Sequence, residues 1–192
     1  MNGLRVQICP QVFNPITGRT TQFFIEHMHI DPKDRVLEIG TGSGAIAAAV
    51  ANQAQCVTAT DVNPYAVKCA QSTMRLNGLE KKVRVLQGDL FVPVQGERFD
   101  LVLFNPPYLA FHSGSWLAKA WSAGPNFELL DDFLGGVGEV LSDQGEIQIL
   151  FSSATSLTEV LKRIRNAELR IQVMAEGRLL GLLERIYLFR LS

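Results

Sequence analysis

A chain of 192 residues, 47% of them hydrophobic and 19% charged, has the length of one domain and the balance of a soluble globular protein. Its formal net charge of −1 excludes a general attraction to nucleic acid, though not a local basic patch. No apolar stretch reaches the length of a membrane span and no basic-apolar-small leader opens the chain, so the expected compartment is the cytoplasm.

The first thirty or so residues hold "QVFNPITGRT" and a short helix around Thr21 to His29. They are too few for a domain of their own, which leaves an arm over 1–30 and one domain over 31–192. From Arg35 strand-like and helix-like segments alternate. "RVLEI" (35–39) reads as a strand, followed by a glycine cluster and the alanine-rich helix "AIAAAVANQA". "CVTATD" (56–61) is the second strand. Pro64 then suits the first turn of a helix that Gly78 stops. "VRVLQ" (83–87) and "DLVLF" (100–104) are the third and fourth strands. Phe127, Leu130, Phe133, Leu134, Val137 and Leu141 form a helical stripe across 125–141, despite Gly135-Gly136. "EIQILF" (146–151), the helix "LTEVLKRIRNA", "LRIQVMA" (169–175) and "RIYLFRL" (185–191) complete the chain.

This alternation predicts a doubly wound, mostly parallel α/β sheet of seven strands with helices on both faces. The nine residues "EGRLLGLLE" between the last two strands are too few for a helical crossover. Those strands are therefore expected to be antiparallel neighbours. Cys9, Cys56 and Cys69 stand in no metal-like spacing, and two lie in apolar or amphipathic segments. They are expected to be buried free thiols.

In an open parallel sheet, ligands bind beyond the carboxyl ends of the strands. Four consecutive ends carry chemistry here. The first is followed by "EIGTGSGA", a glycine loop that permits close approach of a ligand to backbone N–H groups. Gly40, Gly42 and Ala45 also satisfy a relaxed dinucleotide fingerprint. The second ends at Asp61, about 20 residues beyond the loop, where a carboxylate can accept both ribose hydroxyls. The third is followed by Gly88-Asp89-Leu90 and the fourth by Asn105-Pro106-Pro107-Tyr108. Taken singly, an Asp at a strand end is as readily a helix cap, and Asn-Pro merely turns a chain. Four such elements in order argue for a site.

The segments "VLEIGTGSG", "ATDVNPYAVKCAQ", "GDLF" and "FDLVLFNPPYL" resemble the successive motifs of the Rossmann-like S-adenosylmethionine-dependent methyltransferases. More narrowly they are similar to the HemK-type protein-glutamine methyltransferases, in the short form without an N-terminal helical domain. The likeness runs on through "WSAGPNFELLDDFL" and the terminal "ERIYLFRL". It implies that Gly40, Gly42 and Gly44 line the methionine part of S-adenosylmethionine, with Glu38 ordering the first turn or its waters. Asp61 would hold the ribose hydroxyls and Val62 flank the adenine. Asp89 would accept from the adenine amine, with Leu90 on the ring. Asn105 and the Pro106 carbonyl would bind the substrate nitrogen, and Tyr108 would wall the target group. The arm over 1–30 would cap the cofactor site. It departs from the family at "NPITGRTT", where an acidic residue and a threonine are usual near Pro15; Ala123-Gly124 likewise replaces a usual Gly-Gly pair.

The tetrapeptide suits this chemistry for a physical reason. Methyl transfer from a sulfonium is an in-line displacement needing no metal, but a planar amide nitrogen is a poor nucleophile. Two acceptors, the Asn105 oxygen and the Pro106 carbonyl, can each take one N–H and favour the pyramidal nitrogen of the transition state. The prolines supply no competing N–H. Other constellations fail. His27 and His29 lack a partner pair for a metal; Ser43 stands one step late for a nucleophile elbow, and His112 has no placed acid. Arg163, Arg165 and Arg170 read as a solvated face, and "LLGLL" (179–183) as a core-facing connection, with an exposed partner surface as the alternative.

The expected activity is N-methylation of a protein glutamine, with the Gly-Gly-Gln loop of a translation release factor as first candidate. A nucleic-acid adenine-N6 or guanine-N2 methyltransferase is the rival, since those NH₂ groups are also planar; a non-catalytic cofactor-binding scaffold is a third reading. Some short relatives use a small activating subunit at a sheet edge, which the resemblance leaves open here.

Overall fold

The computed structural model describes residues 3–15, 19–107, 124–178 and 184–192. Five strands, β1 (Arg35–Ile39), β2 (Cys56–Asp61), β3 (Val83–Gln87), β4 (Phe99–Phe104) and β5 (Leu141–Ser152), run parallel. β7 (Arg185–Leu191) lies antiparallel between β5 and β6 (Ile171–Arg178), giving the order β3-β2-β1-β4-β5-β7-β6. The short connection that forbade a crossover does join antiparallel neighbours.

The helices are α1 (Arg19–His27), α2 (Ala45–Val50), α3 (Pro64–Asn77), α4 (Glu128–Gly136) and α5 (Leu157–Asn166). Alternate side chains of each buried strand feed two cores. Val36, Leu101 and Leu103 pack with α2 and α3, whereas Leu37, Val102 and Phe104 pack with α4 and α5. Leu130, Phe133 and Val137 of the predicted stripe are buried. The helix itself stops at Gly136, and one 3-10 turn (Val137–Glu139) leads into β5. Leu141 belongs to that strand, because Phe99 of β4 pairs with it. β6 likewise runs to Arg178 rather than Ala175, since Gly177 and Arg178 still find partners in Ile186 and Arg185.

Two sequence expectations are overturned by packing. Cys9 and Cys69 form a disulfide across 60 residues, with Cα atoms 6.1 Å apart, and Cys56 is exposed. The reason is the course of the arm, which runs along α3 and brings Cys9 to that helix's buried face. Arg163 is not on a solvated face. Its guanidinium pairs with Asp131 (2.9 Å) and Glu159 (2.8 Å), donates to the Asn126 carbonyl (3.0 Å) and lies over the Phe127 ring. Four partners, one on each of α4 and α5 and two in the turn before α4, draw it inward, while Arg165 and Arg170 stay exposed. The "LLGLL" segment lies outside the described residues. Among the described residues no helix is long and apolar enough to cross a membrane.

Candidate active site

Register aligns the four strand ends. Ile39 pairs with Thr60 on one side and Phe104 on the other, and Asp61 pairs with Gln87. The residues that follow, Gly40, Val62, Gly88 and Asn105, therefore open on one cleft, where strand order reverses between β1 and β4. The cavity measures about 180 Å³.

Its floor is the loop after β1. Gly40, Gly42 and Gly44 all have positive φ (68°, 56° and 79°), a conformation costly for any residue with a side chain. They do not share one role. Gly40 and Gly42 line the cleft, but Gly44 stands behind it at the start of α2, where an added Cβ would lie 3.0 Å from Ala70 and 2.9 Å from Met74. Glu38 holds this loop from beneath. One of its oxygens, Oε2, accepts from the Thr41 hydroxyl (2.7 Å) and the Ala47 N–H (3.0 Å). Burial pushes its carboxyl up to about 8, against the two hydrogen bonds and helped by the negative charge of Asp61.

Asp61 ties the loop to the second strand end. Its Oδ2 accepts from the Gly42 N–H (2.8 Å) and its Oδ1 from the Asn63 N–H (2.9 Å). Burial raises its pKa, and those two bonds oppose the rise. Asn63, which sequence reasoning passed over, joins three elements. Its side chain caps α3 by accepting from the Tyr65 N–H (2.9 Å) and donates to the Gln11 carbonyl (2.9 Å). An Asn before the helix-starting Pro64 was a legible capping signal; its link to the arm was not.

Val62 is 44% exposed on one rim and Asp89 is exposed on another. Leu90 reaches the cleft from a left-handed backbone (φ 42°), a strained geometry for a non-glycine residue that is typical of ligand sites. Gly88 is needed because any Cβ there would strike Pro93. At the far end Asn105, Pro106 and Pro107 line the cleft. The Asn105 Oδ1 is buried and has no hydrogen-bond partner among the described residues, an acceptor held ready at a cost of roughly 1–3 kcal/mol. Tyr108 lies outside the described residues. The lining also includes Val12, Phe13 and Pro15 of the arm, Thr20 and Thr21 of α1, and Leu129 of α4. These were missed individually, because only tertiary packing, the path of the arm for the first five and the seating of α4 for Leu129, brings them to the cleft. Among the described residues no His, Cys, Asp and Glu group could hold a metal ion.

The sheet order with its antiparallel β7 and this strand-end cleft define a Rossmann-like, S-adenosylmethionine-dependent methyltransferase. The family model "Methyltransferase small domain" matches residues 10–172, and the chain belongs to that family. It is 32% identical to a Methanocaldococcus jannaschii protein provisionally named a protein N5-glutamine methyltransferase, over 91% of this chain and 89% of that one. It is 36% identical to the release factor glutamine methyltransferase of Moorella thermoacetica over 55% of this chain, which spans only 39% of that longer relative. Among solved structures it is similar to the E. cuniculi Mtq2–Trm112 complex responsible for methylation of the eRF1 translation termination factor. That likeness has a TM-score of 0.73 and 21% identity, over 95% of this chain and 98% of the other. The chain is an enzyme, and S-adenosylmethionine is its methyl donor.

Proposed function

We propose that this enzyme methylates the side-chain amide of a protein glutamine, with the Gly-Gly-Gln loop of a translation release factor as first acceptor. The observation that carries the reading is the buried Asn105 Oδ1 with no partner among the described residues, beside two prolines that offer no N–H. An NH₂ on a planar carbon supplies the missing donor. With the Pro106 carbonyl as second acceptor, the amide nitrogen is held with its lone pair toward the methyl group. S-adenosylmethionine, when bound, would supply the methyl group, and the nitrogen held by Asn105 and the Pro106 carbonyl would release one proton to solvent on methylation.

In this reading the remaining residues hold the cofactor. Asp61 accepts the ribose hydroxyls, for it lines the cleft and each of its oxygens, engaged by one backbone N–H, can accept a second hydrogen bond. Val62 and Leu90 flank the adenine, Asp89 accepts its amine, and Gly40 and Gly42 admit the methionine portion with Glu38 beneath. Residues 1–30 close over the cofactor and 31–192 form the transferase domain. The M. jannaschii and M. thermoacetica relatives support glutamine as acceptor. A small activating subunit fits an outer sheet edge, β3 or β6, each paired with only one strand among the described residues. The solved E. cuniculi protein, itself a complex, supports that partner. The compartment proposed is the cytoplasm, where release factors act.

The test is methylation of a purified release factor against its Gln→Asn variant, with labelled S-adenosylmethionine. Methyl-glutamine in the first alone is expected. Asn105→Ala should lower kcat by roughly 10²–10³ while cofactor affinity stays within about twofold. Salt-sensitive labelling of naked nucleic acid, with the release factor untouched, would favour the adenine or guanine rival instead.

A further inference from the structure

The arm reaches the cofactor cleft along α3 and is fastened at both ends. The Arg5 N–H donates to Asn77 Oδ1 (3.1 Å), and Asn77 Nδ2 donates to the Arg5 carbonyl (2.7 Å). The Gln7 N–H donates to Thr73 Oγ1 (3.0 Å), and that buried hydroxyl donates onward to the Ser43 carbonyl (2.7 Å) in the glycine loop. At the other end Gln11 receives Asn63, whose own N–H binds Asp61. Cys9 and Cys69 stand between these fastenings, and Val12 packs with Ala66 and Cys69 where the arm enters the cleft wall. The covalent bond thus sits three residues from the first cleft-lining residue of the arm.

We propose that Cys9–Cys69 is a redox modification site whose state sets affinity for S-adenosylmethionine. The bond holds Val12, Phe13 and Pro15 as a finished wall. Once it is cut, the arm keeps its hydrogen bonds and the packing of Val12 but no covalent fastening, and the cofactor must order more of the wall as it binds. Affinity then falls by the fraction of molecules whose arm is in place. The inference depends on the methyl donor alone and not on which acceptor is methylated.

The exchange is balanced by a small dithiol or disulfide. A dithiol's thiolate attacks Sγ of Cys9, the half-buried residue of the pair, because Cys69 is only 1% exposed. The protein S–S bond breaks and its electron pair leaves on Cys69, which takes a proton. The Gln7 carbonyl lies 3.3 Å from Cys69 Sγ and can accept the resulting S–H. The reagent's second thiol releases Cys9 from the mixed disulfide, so the protein gains two electrons and two protons while the dithiol becomes a cyclic disulfide. Oxidised glutathione reverses the step, yielding two molecules of the thiol. The reduced arm therefore has a satisfied interior and can be restored, as a reversible switch needs.

The experiment is calorimetric titration of S-adenosylmethionine into the whole protein, once after dithiothreitol and once after oxidised glutathione. Alkylation and mass measurement count free thiols in parallel. One free thiol, Cys56, is expected in the oxidised form and all three in the reduced form. Reduction should weaken binding by about tenfold, the effect of leaving about a tenth of the molecules with the arm in place. Cys56→Ser should keep the redox difference. Cys9→Ser should bind as the reduced protein does under both conditions. Equal affinity in the one-thiol and three-thiol forms would overturn the proposal. So would a count of three that oxidised glutathione never lowers.

Discussion

Asp61 spends both carboxylate oxygens on backbone donors, Gly42 and Asn63, before any ligand arrives. Its removal therefore loosens the glycine loop as well as the proposed ribose contact. Asp61→Ala should weaken S-adenosylmethionine binding by about 1.5–3 kcal/mol, the scale of charge-assisted hydrogen bonds, as calorimetry will measure. Glu38 makes a different prediction, about pH. Its folded-state pKa of about 8 lies above the ordinary 4.5, so between these values the folded protein keeps a proton that the unfolded chain has lost. The linked contribution to stability is fully present below about 4.5 and is lost as pH rises through about 8. Chemical denaturation of the free protein should show this as a loss of up to about 1.4 kcal/mol per pH unit that Glu38→Gln removes. Identical pH profiles for the two proteins would mean that Glu38 is already ionised in the fold.

At the scale of elements, the glycine loop owes its shape as much to the contact of α2 with α3 as to any ligand. Gly44 combines a φ of 79° with backbone and side-chain atoms of Ala70 and Met74 at about the closest distance a Cβ can tolerate. Gly44→Ala should cost about 2–4 kcal/mol, from left-handed backbone strain plus overpacking, and should lower the urea midpoint. A second junction joins α4 to α5. Arg163 holds Asp131, the Asn126 carbonyl and the Phe127 ring, and thereby the turn that carries Leu129 to the cleft. With its side chain 22% exposed, Arg163→Met should cost about 1–2 kcal/mol rather than the larger penalty of a fully buried pair. Arg165→Met, at an exposed position, should stay within about 0.5 kcal/mol by the same urea titration.

For the molecule as a whole, the strand-end cleft is assembled from the arm, α1, three successive strand-end loops, the β4 turn and residues of α2, α3 and α4. Binding there ties segments from Val12 to Leu129 to one ligand, so stability and occupancy must be linked. S-adenosylmethionine at 100 times its Kd should stabilise the fold by about 2.7 kcal/mol, a rise in Tm of roughly 5–10 °C for a chain of this size. NAD at equal concentration should leave Tm unchanged. β7 has a comparable reach, since it fills the space between β5 and β6 and places Leu188 in one core and Phe189 and Leu191 in the other.

What the sequence determined by itself is what local periodicity and punctuation encode. The bounds of β1, β2, β3 and β7 and the capped α3 were all legible, because apolar runs, Pro64 and Gly78 act within a few residues of themselves. The cleft was legible for a related reason. In a parallel sheet each strand end reaches the same side, so Glu38, Asp61, Leu90 and Asn105 could be gathered by position alone. Tertiary structure decided everything that depends on long-range pairing. Ladder partners extended β5 to Leu141 and β6 to Arg178, against a local pattern that favoured other limits. The arm's path along α3 joined Cys9 to Cys69 and carried Val12 to the cleft, and two facing helices drew Arg163 inward. None of these contacts has a signature in the residues beside it, since each exists only once distant segments have been packed together.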